Sequence, residues 1–197
     1  MASILKVDTI QDQSGNNIIN ESADTITIGA SGDTIAIPTG ATLTVPNGKI
    51  TGQNYPAFEA YLSATQNVTD ATVTKVQIDT EVFDTDGCYD NATNYRFTPN
   101  VAGKYYVYGS IRFAVNALAQ EYFFHYFYKN GSMLRRLSFN LQDNVATVVN
   151  SQIDAIVDFN GTTDYIEMYG NLAVSSGTPT FSTDVQSTYF GAYRIGA

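Results

Sequence analysis

The chain has 197 residues, is 44% hydrophobic and only 15% charged, which suits one globular domain with an appendage. Ten Lys and Arg against nineteen Asp and Glu give a formal charge of −9, which repels phosphate and argues against nucleic acid and anionic lipid as partners. A single cysteine, Cys88, rules out an intrachain disulfide, and no apolar run reaches the roughly 20 residues that membrane insertion by a helix requires.

Residues 1–54 contain no aromatic residue, and rings begin at Tyr55. A buried ring removes about 150–250 Å² from water, so the N-terminal stretch lacks what a free-standing core needs. It is expected to share its core with other chains. Met1–Gln13 has no apolar core of the signal-peptide kind, so synthesis in a reducing cytosol is expected. Ser3–Ile10 has strand-like character, followed by a turn at Ser14-Gly15-Asn16.

A repeat follows. Asp24–Ile28, Asp33–Ile37, Ala41–Val45 and Lys49–Thr51 each place aliphatics on one face of a short strand and end in a Gly-containing turn. Strands this short leave edges unpaired and bury little. The pattern predicts an intertwined β stem in which Ile26, Ile28, Ile35, Ile37, Leu43 and Val45 point inward across three chains. A flexible polar linker is the competing reading.

From Ala57 onward the reading is of short strands divided by turns. The expected strands are 58–64, 73–78, 95–98, 104–115, 121–129, 133–139, 146–158, 164–170 and 187–195. Asp86-Gly87, Pro99-Asn100, Asn130-Gly131, Asn160-Gly161 and Ser176-Gly177 separate them, and Asn-Gly between apolar runs is a strong hairpin signal. This predicts an all-β sandwich or jelly roll. Tyr105 and Val107 fall on one face of their strand and Tyr106 and Tyr108 on the other, which predicts burial on both sides. The boundaries expected are 1–22 for an attachment segment, 23–54 for the stem and 55–197 for the head.

Chemistry-bearing residues are few. His125, the only histidine, alternates with Phe123 and Phe127 and reads as a packed strand residue; three copies on a three-fold axis holding a metal is the rival reading. Cys88 reads as a buried thiol rather than a nucleophile paired with His125. Asp84-Thr85-Asp86-Gly87 opens like a calcium loop, but Tyr95 stands where the bidentate Glu belongs. Asp84, Asp86 and Asp90 are therefore weak candidates for a calcium cluster, and otherwise no metal or cofactor is expected. No Walker loop, nucleophile elbow or zinc-protease helix occurs, so no enzyme activity is expected. Arg135, Arg136 and Arg112 read as partners for acidic groups across a subunit boundary.

The run Asn94–Val107 is similar to the C1q/TNF-like signature, a Phe followed six residues on by Gly and then Tyr-x-Phe. It departs from that pattern at Tyr95, where Gly is usual, and Val107, where Phe is usual. Ala57–Ala60, Phe123–Gly131, Asp158–Ile166 and Ser187–Ile195 resemble further strands of the family in order. The resemblance implies a jelly-roll head in a homotrimer, with Phe97, Gly103, Tyr105, Val107, Phe190 and Gly191 in its core or interface. Leu5–Gln11 with Ser14–Asn16 resembles the start of structural proteins of tailed phages, marine ones especially. That resemblance implies a virion location, with Leu5, Val7 and Ile10 attaching to other virion proteins.

Together these readings give the expectation of a trimeric tail-fibre-like appendage. Its loops at 84–91, 117–120, 142–145 and 174–179 would bind a bacterial surface glycan or protein. A trimeric capsid decoration protein is the alternative, and a depolymerase would need an acidic cleft.

Overall fold

The structure, a computed structural model, describes residues 9–11, 13–15, 17–22, 25–28, 34–36, 39–41, 55–117, 119–141, 146–184 and 186–196. The chain divides into two compact units, Met1–Gly52 and Gln53–Ala197.

In the first unit β1 (Thr9–Gln11), β2 (Asn17–Ser22) and β3 (Thr25–Ile28) form an antiparallel meander within one chain. Gly15, at φ +84°, turns β1 into β2, because a residue without Cβ meets no penalty there. Ile10, Ile28 and Ile35 are 41%, 53% and 59% exposed, so one chain alone leaves these apolar side chains open to water. Ile26 lies on β3, while Leu5, Val7, Ile37, Leu43 and Val45 are outside the described residues.

The second unit is a sandwich. It contains β4 (Ala57–Tyr61), β5 (Gln66–Asn67), β6 (Thr74–Lys75), β7 (Thr80–Asp84), β8 (Tyr89–Asp90) and β9 (Arg96–Phe97). The long strands follow: β10 (Gly103–Ala114), β11 (Gln120–Lys129), β12 (Ser132–Asn140), β13 (Val148–Phe159) and β14 (Ile166–Val174). Then come β15 (Thr180–Phe181) and β16 (Tyr189–Gly196).

One sheet has seven strands and is centred on β10. β13 covers one edge of β10 without interruption from Gly103↔Phe159 to Ala114↔Val148. β16 and then β15 cover its other edge, and β4 and β7 extend the sheet beyond β16. The six-stranded sheet is centred on β14 and β11, with β12 at one edge and β6, β9 and β8 on the other side. Asn130 and Gly131, at φ +51° and +75°, close the β11–β12 hairpin that Asn-Gly predicts.

Alternation decides what lies between the sheets. Along β13 the buried residues Ser151, Ile153, Ala155, Val157 and Phe159 alternate with Gln152, Asp154, Ile156 and Asp158. Phe58 stacks on Tyr89 at 4.4 Å and on Phe97 at 4.6 Å, and meets Phe190 edge-on at 5.1 Å. Each fully buried ring contributes about 1.5–3 kcal/mol, so this cluster ties β4, β8, β9 and β16 together. Phe97, Tyr105, Val107 and Phe190 are fully buried here. Tyr95, where the C1q/TNF-like pattern has Gly, takes φ +51°, so the backbone keeps the conformation that Gly normally serves.

Candidate functional site

Two surfaces of the head stand out because they expose rings and aliphatics in ordered rows. The first is the outward face of the seven-stranded sheet. The register places Tyr193, Tyr106 and Ile156 in one row and Glu59, Gly191, Tyr108 and Asp154 in the next. Tyr106 lies 5.6 Å from Tyr193 and 5.9 Å from Tyr108, centroid to centroid.

Gly191 explains how Tyr108 lies. A Cβ at position 191 would collide with the Tyr108 ring, so the ring rests over β16 and its hydroxyl donates to Glu59 Oε2 at 2.7 Å. Burial pushes the Tyr108 hydroxyl well above its usual pKa, and the Glu59 carboxylate pushes it further. What approaches Gly191 closely is thus a side chain of the same chain, rather than another backbone. Tyr193, Ile195 and Ile156 remain 46%, 47% and 65% exposed at this face. Between Tyr106, Tyr108, Gln152, Asp154 and Tyr189 lies an open cleft of about 290 Å³.

The second surface is β12. All nine of its residues are exposed. Phe139 and Leu137 pair with the inward residues Phe123 and His125, so they belong to the core side of the sheet. The edge overhangs, leaving Phe139 53% and Leu137 40% exposed, with Met133 at 54% and Leu134 at 45%. Arg135 donates to the Asp154 carbonyl on β13, and the Arg136 guanidinium sits 5.3 Å from the centre of the Phe124 ring. Arg112 meets Asp184 at 3.2 Å within the chain.

The remaining candidates have local roles. His125 is fully buried between the sheets, with Nδ1 3.3 Å from Ser151 Oγ and with Phe113 and Phe127 beside it. Burial lowers its pKa to about 3, so it is neutral at neutral pH. Burial likewise pushes up the Cys88 thiol, whose Sγ is 3.8 Å from the Asp86 carbonyl. Asp84 accepts the backbone N–H of Tyr89 at 2.7 Å and of Asp86 at 3.3 Å. Asp90 accepts those of Thr93 at 2.8 Å and Ala92 at 3.1 Å, and Asn94 Nδ2 at 2.6 Å. Backbone donors, Thr93 first, hold the Asp90 carboxyl down to about 2. The Asp84 and Asp90 carboxylates therefore lock turns, and among the described residues no group of three or more His, Cys, Asp or Glu side chains is placed to hold a metal.

Gly103, at φ +141°, packs against the carbonyl of Gly196 and the Arg194 side chain, closing the start of β10 on the end of β16. Of the candidate binding loops, 84–91 and 174–179 are described throughout, Leu118 is not described in the third, and 142–145 lies outside the described residues.

The sequence alone did not point to a third set of residues, the outward rings of β11. Tyr122, Phe124, Tyr126 and Tyr128 alternate with the core residues Phe123, His125 and Phe127. The period-two placement was visible, but rings on both faces masked which side was the core.

The fold these strands build is the C1q/TNF-like jelly roll. Crystal structures of murine APRIL, a TNF-family protein, superpose with TM-scores of 0.54 and 0.52 at 11% and 12% identity, covering 72% of this chain and 100% of that one. The globular domain of zebrafish complement 1qA is also similar, at TM-score 0.48 and 13% identity, covering 72% of this chain and 98% of that one. At such identities the likeness speaks to fold alone. No protein-family model and no curated protein matches the chain.

Proposed function

We propose that the chain is a homotrimeric structural protein of a tailed-phage virion, a fibre-like appendage whose jelly-roll head meets the host surface. The observation that carries the trimer is the presence of two different apolar surfaces on one body. The face with Tyr193, Ile195 and Ile156 and the overhang with Leu137 and Phe139 are unlike each other. Exposed apolar surfaces of this kind mark association sites. A patch that meets a different patch on the next copy makes a heterologous contact, which closes as a ring when the rotation between copies is a whole fraction of a turn, one third for a trimer. Three copies carry a formal charge of −27, three times −9, which keeps such an assembly soluble.

The virion assignment rests on the N-terminal Leu5–Gln11 resemblance and on the aliphatic repeat of residues 24–51. The exposed Ile28 and Ile35 are what a segment awaiting partner chains presents. Non-enzymatic recognition or structural support fits a head whose lone histidine is sealed from solvent.

Light scattering should give about three times the 21.5 kDa chain mass. A mass of one chain that persists at micromolar concentration rejects the trimer. Immunogold labelling of particles then places the protein. Label at the tail supports the appendage, and label over the capsid surface replaces it with a decoration protein built on the same trimer.

A further inference from the structure

We propose that the outward face of the six-stranded sheet is a binding platform for an extended polysaccharide chain. The inference rests on the reading of the head as a host-surface binder, and it places the contact on a sheet face rather than on the loops.

The register lays out this face in rows. Asn140, Tyr122 and Ala173 form the first, and Ser138, Phe124 and Asn171 the second. Arg136, Tyr126, Tyr169 and Lys75 form the third. Along β11 the rings spring from every second residue, at backbone positions about 7 Å apart. Their centroids are 5.2 Å apart for Tyr122–Phe124 and 5.9 Å for Phe124–Tyr126 and for Tyr126–Tyr128, and Tyr169 joins Tyr128 at 4.6 Å. The result is a strip of rings along the strand in which Tyr122, Phe124 and Tyr128 are partly exposed and Tyr126, between them, is buried.

The strip is bordered by hydrogen-bonding groups. Asn171 is 5% exposed, and its Oδ1 has no hydrogen-bond partner, although an acceptor buried without one is costly. It shares its row with Phe124, and because the oxygen is covered in the free chain, a hydroxyl donor beside that ring satisfies it once the neighbouring side chains move aside. The hydroxyls of Tyr122, Tyr126 and Tyr128 have no partner among the described residues. Ser138 and Asn140 line an open cleft of about 380 Å³ with Tyr122 and Phe124.

Charge at the far end is internally settled. Lys75 Nζ meets Glu167 Oε1 at 2.6 Å, and Tyr169 donates to Glu167 Oε2 at 3.3 Å. A ligand that offers flat C–H faces to rings and hydroxyls to amides along its length is a sugar chain. A purely apolar partner would leave the Asn171 oxygen and the phenols unpaired. A second copy of this chain is proposed above to meet the seven-stranded face and the core-side residues Leu137 and Phe139 of β12, not this outward face.

The test is retardation of the intact trimer in native gels containing dextran, mannan, laminarin or xylan as neutral probes, and alginate as an acidic one. The expected result is retardation by at least one polymer, weakened about tenfold by Tyr122→Ala or Tyr128→Ala, the size of one lost ring contact. Asn171→Leu removes the orphaned oxygen, so it should weaken retardation while keeping or raising the melting temperature. Neutral polymers acting alone define an uncharged ligand; alginate acting alone defines an acidic one gathered by Arg136. No retardation by any probe overturns the proposal. So does retardation unchanged in all three variants, or abolished only by substitutions in the 174–179 loop. Trimer mass is read separately, so failure here and failure of the assembly reading are distinct results.

Discussion

His125 shows what a polar residue does when a β sandwich closes around it. Its Nε2 has no partner, so the second proton that would charge the ring would be buried unpaired. The ordinary pKa near 6.5 falls to about 3 on folding. Below pH 6.5 the unfolded chain therefore binds a proton that the folded chain refuses, and stability falls as pH drops towards 3. Between pH 7 and pH 5 the loss amounts to about 2 kcal/mol for a single group shifted this far. Asp90 acts in a lower window. Its stabilisation is complete above its unfolded pKa near 4 and is lost as pH falls through about 2, so it adds no pH dependence above pH 5. Urea unfolding at fixed protein concentration, at pH 7 and pH 5, should show that loss in the native chain and not in His125→Leu. An equal loss in both would assign the acid sensitivity elsewhere.

At the scale of the strand, β12 is the informative element. A fully exposed edge strand is a liability in a monomer, because it offers both unpaired backbone and apolar side chains. If the overhang is the trimer contact, Leu137→Asp with Phe139→Asp should reduce the scattering mass from three chains to one. Far-UV circular dichroism should keep its β signature, because both side chains are already 40% or more exposed in one chain. A trimer that survives the pair of charges moves the interface off this edge.

Strands also mark what the sequence revealed. The long strands from β10 to β14 and the final strand β16 were legible, because alternation over eight or more residues leaves a clear pattern. The bridges β5, β8 and β15 are two residues long and have no periodicity to read. β7 was missed for another reason. Thr80–Asp84 exposes Val82 and Phe83 at 52% and 45%, so its apolar residues do not alternate as a half-buried strand would. Of the sites, the Tyr106 and Tyr108 face was legible from alternation in β10. The β12 overhang was not, since exposure of a core-side residue depends on how far the opposite sheet extends.

At the scale of the whole molecule, the division between Gly52 and Gln53 has a direct consequence. The head holds its own core cluster, from Phe58 to Ala192, drawn from both sheets. A chain beginning at Gln53 should therefore melt cooperatively near the temperature of the full-length protein, checked by calorimetry. It should also fail to attach to particles under the virion reading. A head that is unfolded without residues 1–52 would show that the N-terminal unit is part of its stability.

The position of β16 governs how this protein can be made. It sits between β4, the first strand of the head, and β10, its central one, and it is the last of the described strands. Until residues 189–196 have been made, the opening strand has no neighbour on that side, and the main sheet cannot close. The head thus closes on a late segment of its own fold, and a chain lacking residues 189–196 would have β4 and β10 without the strand that joins them.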